Sequence, residues 1–247
     1  MSGDTNRLAQ KSFYRLYLRV GAGLIVPLCI IWAIAASPAT EFLWDWANTL
    51  GYIAALLIIL LFVYRGQMLP GVPLSGRFFV DLHRDLGYAA LLLSALHVLV
   101  LLASEPLLLE HLKPTAPWYM LAGLAGTLVL TALLVLSLPA LRKGFWSDYR
   151  LFRQVHLWLA LALLLLLYIH VLGSRFYLNS YWKQGGFLLF GILVLFTFIR
   201  DRSRPKAVQF SVQRLRGNGV TARLISAGCA ALAAVVALML IAGHRLL

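Results

Sequence analysis

The chain has 247 residues, of which 61% are hydrophobic and only 13% are charged, and its mean hydropathy is +0.83. These values lie outside the range of soluble globular domains and predict an all-α integral membrane protein. Roughly six to eight membrane helices would use this length and leave almost nothing for a fused catalytic domain. Cys29 and Cys229 both lie in apolar runs, which excludes a disulfide framework and a CxxCH haem-attachment motif.

Seven apolar stretches, each long enough to cross a bilayer, follow one another along the chain. We expect membrane helices over residues 14–36, 42–64, 82–104, 118–141, 150–173, 181–199 and 221–243. The first stretch has a basic start and the tripeptide Ala33-Ile34-Ala35, which imitate a cleavable secretory signal. Because its apolar region is long for a signal, we expect it to remain as a membrane helix.

The net charge of +13 is explained by membrane topology. If the loops alternate in side, 18 of the 22 Lys and Arg residues lie on one face of the membrane. The other four are Lys113, Arg175, Lys183 and Arg245. Since basic residues concentrate in cytoplasmic loops, the N-terminus is expected in the cytoplasm and the C-terminus outside. Nucleic acid is therefore not an expected partner, and the basic stretch from Arg200 to Arg223 is expected to meet membrane lipid or to dock an acidic flavoprotein.

Two histidine pairs with the same spacing lie inside the spans. His83 and His97 are fourteen residues apart in the third span, and His156 and His170 are fourteen apart in the fifth. Fourteen residues make about four helical turns, so each pair projects from one face with about 21 Å between its members. Because these two spans run in the same direction, His83 can face His156 and His97 can face His170.

One imidazole from each of two helices is the donor set for the iron of a flat macrocycle between them. The four histidines therefore predict two stacked bis-histidine b-type haems. A lone membrane histidine is more often a packing residue, and a proton or metal transporter also uses intramembrane histidines. Such a transporter would be expected to carry acidic residues within its spans, and here they fall near predicted helix ends. These acids are Asp45, Asp81, Asp85 and Asp148.

Arginines near the predicted membrane surfaces are candidate partners for the haem propionates, which are anionic. Those placed for the inner haem are Arg77, Arg84 and Arg153. Arg175, five residues after His170, is placed for the outer haem. Gly87 and Gly173, each about one turn from a histidine, leave room for a macrocycle against the helix or simply allow close helix packing.

Two stretches of the sequence resemble the ferric reductase transmembrane domain family, which includes the ferric-chelate reductases and the membrane part of the NADPH oxidases. They are LHRDLGYAALLLSALH in the third span and FRQVHLWLALALLLLLYIH in the fifth. The similarity spans roughly residues 45–200. It implies that all four histidines are axial haem ligands and that electrons pass singly from a cytoplasmic flavin to an acceptor outside.

The chain departs from the fused enzymes of that family after the sixth span. The text SRPKAVQFSVQRLRGNGVTARLI resembles the first strands of a flavin-binding barrel, but an alanine-rich apolar run follows it. Neither a His-Pro-Phe-type flavin motif nor a GxGxxG loop occurs. Flavin and NAD(P)H are therefore expected only on a partner protein. A second similar branch is the haem-binding membrane subunit of the bacterial methionine sulfoxide reductase system. It usually has one histidine in the helix corresponding to the third span, so His83 favours the ferric reductase side.

The predicted organisation is a tail and first helix (1–40), a haem-binding core (41–200), and a basic cytoplasmic loop with a C-terminal helix (201–247). Six helices would form a haem-binding bundle, with the C-terminal helix as a seventh. The protein is expected to be an oxidoreductase component of a bacterial inner membrane that is not self-sufficient. Electrons would pass from a cytoplasmic flavoprotein reductase through two haem b to an extracytoplasmic ferric chelate. The alternatives are a periplasmic reductase, such as methionine sulfoxide reductase, as the acceptor, or a non-redox histidine-lined transporter.

Overall fold

The structure is a computed structural model that describes residues 2–33, 41–66, 75–146, 148–203 and 219–246. All regular secondary structure in these residues is helical, so the predicted all-α class is confirmed. The α-helices are α1 (Ser2–Ala33), α2 (Phe42–Leu60), α3 (Gly76–Ser104), α4 (Trp118–Ser137), α5 (Pro139–Phe145), α6 (Tyr149–Ser174), α7 (Tyr181–Ser203) and α8 (Gly219–Leu246). A short 3₁₀ helix, Pro106–Leu112, follows α3.

Six helices in the described ranges are long and apolar enough to cross a membrane, and the protein is an integral membrane protein. These segments are Phe42–Leu60, Gly76–Ser104, Trp118–Ser137, Tyr149–Ser174, Tyr181–Arg200 and Thr221–Ala242. They correspond to the second to seventh predicted spans. The first predicted span, 14–36, lies in α1 as far as Ala33, and its last three residues fall outside the described part of the chain.

Helix boundaries follow local chemistry that hydropathy does not capture. The fourth predicted span, 118–141, is divided: α4 ends at Ser137 and Pro139 begins α5, because proline lacks an N–H and fits a first helical turn. Asp148 caps α6 by accepting a 2.7 Å hydrogen bond from the backbone N–H of Arg150, which is one of the roles expected for it. Arg175 follows α6 in the left-handed conformation, with φ of 53°.

The predicted seventh span, 221–243, is confirmed as a helix, and the resemblance of the preceding text to barrel strands does not extend to the structure where the two can be compared. Residues 204–218 lie outside the described part of the chain, but the sequence from Gly219 onward forms α8 rather than a strand. The alanine-rich run that follows favours a helix, since alanine has the highest helix propensity.

The chain divides into two compact units. The first comprises Met1–Ala36, Tyr52–Ala90 and Leu189–Leu247. In it α8 packs against α1, and Cys229 Sγ lies 3.8 Å from the carbonyl oxygen of Tyr17. Small buried side chains on α8, including Ala222, Ala233 and Ala237, suit such close helix packing.

The second unit comprises Ser37–Gly51 and Leu91–Leu188, and in it α4 packs along α6. At one end of this contact, Gly173 of α6 lies so close to Tyr119 of α4 that a Cβ atom at Gly173 would overlap the Tyr119 side chain. Of the two roles considered for Gly173, helix packing is therefore the one the structure shows, and room for a macrocycle is not.

Candidate functional site

Each of the four intramembrane histidines points its Nδ1 at an oxygen atom of another segment. The Nδ1 to oxygen distances are 2.7 Å from His83 to Tyr64 O, 2.8 Å from His97 to Ala47 O, 2.9 Å from His170 to Tyr119 O, and 3.4 Å from His156 to Ser137 Oγ. The first three acceptors are backbone carbonyls. The fourth contact is at the long limit of a hydrogen bond.

These contacts fix which ring nitrogen carries the proton. A carbonyl oxygen only accepts, so Nδ1 is the donor in the first three histidines. Ser137 gives His156 the same assignment, because its hydroxyl already donates to the carbonyl of Leu133 at 2.6 Å and its oxygen is left to accept. In a neutral imidazole held this way, Nε2 carries the lone pair and is the nitrogen that binds a metal.

Two glycines lie directly against two of the imidazoles. A Cβ atom at Gly51 of α2 would lie 2.8 Å from His97 Nδ1, and one at Gly123 of α4 would lie 2.6 Å from His170 Nδ1. Carbon atoms do not approach a ring nitrogen this closely, so any side chain at either position would displace the ring. Both imidazoles therefore occupy space that only a glycine leaves open.

His97 and His170 lie in the same compact unit. That the two imidazoles face one another, as the spacing predicts, stays a prediction. His83 belongs to the first unit and His156 to the second, and their facing stays a prediction.

The donor set fits a haem iron better than a bare metal ion. Among the residues that the structure describes, no group of three or more His, Cys, Asp or Glu side chains is placed to hold a metal. A protein site for a bare transition metal usually needs three or four ligands, whereas a haem iron takes only its axial ligands from the protein. An imidazole pair such as His97 and His170 is the donor set that a haem requires.

The surroundings of His156 are apolar. The residue lies among leucine, valine and aromatic side chains, among them Leu136, Trp146 and Phe152. The Phe152 ring lies 5.6 Å from the imidazole, centroid to centroid. An apolar lining of this kind suits the hydrophobic surface of a macrocycle better than it suits a hydrated ion.

The four candidate arginines differ in their contacts. Arg84 is paired with two carboxylates of its own helix, at 3.1 Å from Asp81 and 3.0 Å from Asp85. Its positive charge is therefore already shared. Arg77, Arg153 and Arg175 are exposed.

A buried polar cluster, which the sequence did not predict, joins three segments of the second unit. The Tyr177 hydroxyl donates a 2.5 Å hydrogen bond to Asp45, and Lys183 Nζ donates a 2.9 Å hydrogen bond to the Tyr177 carbonyl. Asp45 is 3% exposed and Lys183 is 4% exposed. Asp45 was expected to have a helix-end role, but here it also anchors the loop after α6.

Tyr64, which accepts from His83 through its carbonyl, follows the end of α2. Burial of its side chain raises the pKa of its hydroxyl to about 12. The phenol is therefore neutral at any physiological pH.

The Nδ1 acceptors are functional groups that sequence reasoning missed. Three of them are backbone atoms, so no residue type marks them. The available signal was the presence of Gly51 and Gly123 within helices long and apolar enough to span a membrane.

Residues 49–167 match the family model described as "Ferric reductase like transmembrane component". This segment is similar to the ferric reductase-like transmembrane domain. The matched range includes His83, His97 and His156 and ends before His170. Ferric reductase-like domains generally bind haem, and the match indicates a role in membrane electron transfer. No curated protein and no solved structure gave a match to the chain.

Proposed function

We propose that this protein carries single electrons across a membrane through two b-type haems, each ligated by one imidazole from α3 and one from α6. The ligand pairs would be His83 with His156 and His97 with His170. The observation that carries this proposal is the Nδ1 hydrogen bonding, which leaves the lone pair of each imidazole on Nε2. The ferric reductase-like match supports it further.

Bound haem b supplies the redox chemistry, because its iron accepts and releases one electron at a time. The residues of the chain would bind, orient and tune it. The Nδ1 hydrogen bonds hold each ring in one orientation and make Nε2 a stronger donor. Apolar side chains such as Leu136 and Phe152 would exclude water on the His156 side. No residue is required as a general acid or base.

Cationic side chains would bind the anionic propionates. We assign Arg77, Arg84 and Arg153 to the haem of His83 and His156, and Arg175 to the haem of His97 and His170. Arg84 already forms ion pairs with Asp81 and Asp85, which would weaken its attraction for a propionate. The exposed Arg77 and Arg153 are therefore better placed to bind the propionates.

The proposed direction of transfer is outward across a bacterial inner membrane. A separate cytoplasmic flavoprotein reductase would donate the electrons, and flavin and NAD(P)H would belong to that partner. The proposed acceptor is extracytoplasmic ferric iron, and a periplasmic reductase such as methionine sulfoxide reductase is the second candidate. The basic bias of one set of loops supports this orientation.

The test is the haem content of the purified full-length protein, measured by pyridine haemochrome assay with a reduced-minus-oxidised spectrum. We expect about two haem b per polypeptide with low-spin bands, as two bis-histidine sites require. His97→Ala or His170→Ala should remove the same haem, and His83→Ala or His156→Ala should remove the other.

The matched control is His111→Ala. His111 lies in the 3₁₀ helix outside the spans, so its loss should leave both haems in place. A content of one haem in the wild type would mean that one histidine pair is not a ligand set and would favour the sulfoxide reductase branch. If the purified protein contained no haem, the proposed electron-transfer function would be wrong, and the alternative of a histidine-lined transporter would be favoured.

A further inference from the structure

The two helix pairs that hold His97 and His170 share one arrangement of acceptor, glycine and histidine. In α2 the acceptor carbonyl belongs to Ala47, and Gly51 follows four residues later. In α4 the acceptor belongs to Tyr119, and Gly123 follows four residues later. Residues four apart lie side by side on one helix face, so each glycine stands beside the carbonyl that its histidine reaches.

The separations along the chain are also nearly the same in both pairs. His97 follows its acceptor by 50 residues and His170 follows its acceptor by 51. His83 and His156 each follow their acceptors, Tyr64 and Ser137, by 19. Two pairs of contacts with nearly equal spacing are the pattern of a repeated structural unit.

We infer that α2 with α3 and α4 with α6 are two copies of one histidine-holding unit, in which Gly51 and Gly123 are positioning residues for His97 and His170. The inference rests on the proposed function, because it concerns how these imidazoles meet a haem iron. Each glycine leaves the space that lets its imidazole reach a carbonyl on the facing helix. The carbonyl in turn fixes the ring orientation and the proton on Nδ1.

The geometry leaves no room for even a methyl group. A Cβ at Gly51 would lie 2.8 Å from Nδ1 and 3.0 Å from Cε1 of His97, and a Cβ at Gly123 would lie 2.6 Å and 2.8 Å from the same atoms of His170. The obstructing atoms belong to a rigid ring, so the whole imidazole must turn or retreat. Its Nδ1 hydrogen bond then breaks and its Nε2 leaves its position.

The experiment compares full-length Gly51→Ala and Gly123→Ala with wild type in detergent. The readouts are haem content, the EPR spectrum of the oxidised protein, and CO binding by the dithionite-reduced protein. We expect both variants to change the same low-spin EPR signal, the one that His97→Ala abolishes. That haem should be lost or should become able to bind CO, while the other haem keeps its wild-type signal.

Gly126→Ala is the matched control, because Gly126 lies in α4 one turn after Gly123. A Cβ there meets Leu166 and Leu163 at 3.7 Å and 3.8 Å, which is ordinary contact, so both EPR signals should be unchanged. If one glycine variant yields too little protein, the other, on a different helix, decides the question.

Wild-type signals in both glycine variants would overturn this inference and leave the proposed function standing, provided that the wild type holds two haems. Equal changes in both EPR signals would also overturn it, because they would indicate a general packing effect. A wild type without haem would instead overturn the proposed function.

Discussion

The hydrogen bond from each imidazole Nδ1 sets what its other nitrogen can do. An imidazole that donates to an oxygen acceptor is a stronger ligand through Nε2 and stabilises the more positive oxidation state of a bound iron. Three of the acceptors are carbonyls that no substitution removes. Ser137, beside His156, is the only one of the four that is a side chain.

Ser137→Ala should therefore raise the midpoint potential of one haem and leave the other unchanged. Because the contact is long, at 3.4 Å, the shift should stay below about 59 mV, the one-electron equivalent of a tenfold change in equilibrium constant. Redox titration of the purified protein measures both potentials. Ser104→Ala is the control, since Ser104 also donates to the carbonyl four residues earlier, that of Val100, but is not the acceptor of any of the four Nδ1 contacts. An unchanged pair of potentials in Ser137→Ala would contradict the assigned role.

The buried hydrogen bond from the Tyr177 hydroxyl to Asp45 is expected to stabilise the fold. Tyr177→Phe leaves a buried carboxylate oxygen without that donor, which should cost about 1–3 kcal/mol of folding free energy. Thermal melting in detergent should show a lower Tm. Tyr181→Phe removes the hydroxyl from a side chain that is 89% exposed, so its Tm should match that of wild type. Equal melting of the two variants would show that the buried contact adds no stability.

At the scale of the element, the positions of the membrane helices could be predicted from the sequence. Uninterrupted apolar runs determine where membrane helices form, so six of the predicted spans correspond closely to α2, α3, α4, α6, α7 and α8. The partners of individual polar groups were not predictable in this way. Asp45 meets a tyrosine 132 residues away, and His97 meets a backbone carbonyl 50 residues away. Only the fold creates such pairs, whereas the spacing of the histidines lies within single helices and was visible at once.

The close contact of α4 with α6 gives a prediction for Gly173. A Cβ at this position would overlap Tyr119, whose carbonyl receives the His170 hydrogen bond, so Gly173→Ala should push the two helices apart. We expect a loss of about 1–3 kcal/mol, the usual cost of overpacking, seen as a lower Tm. Gly185→Ala in α7 is the control. A Cβ there meets nothing within 4 Å, so this variant should be neutral or slightly more stable. A Tm of Gly173→Ala equal to that of Gly185→Ala would contradict the packing argument.

At the scale of the whole molecule, the number of membrane crossings sets where the termini lie. Six helices in the described residues are candidate spans, and α1 would bring the number to seven. An odd number places the termini on opposite sides. The basic bias of alternate loops then predicts a cytoplasmic N-terminus and an external C-terminus.

Reporter fusions test this arrangement. A C-terminal alkaline phosphatase fusion should be active, because the enzyme folds only outside the cytoplasm, and an N-terminal green fluorescent protein fusion should fluoresce. A phosphatase inserted into the basic stretch after residue 203 should be inactive and serves as the internal control. An inactive C-terminal phosphatase beside a fluorescent N-terminal fusion would mean that α1 does not cross the membrane.

The Nδ1 hydrogen bonds also bear on how the protein is made. Both imidazoles of α3 find their acceptors in α2 or just after it, so this segment can enter the lipid during translation with its ring N–H groups already paired. The later pair, α4 and α6, contains its own acceptors in the same way. Neither segment needs a cofactor to pair these ring N–H groups. Under the proposed function, membrane insertion can therefore precede loading with haem.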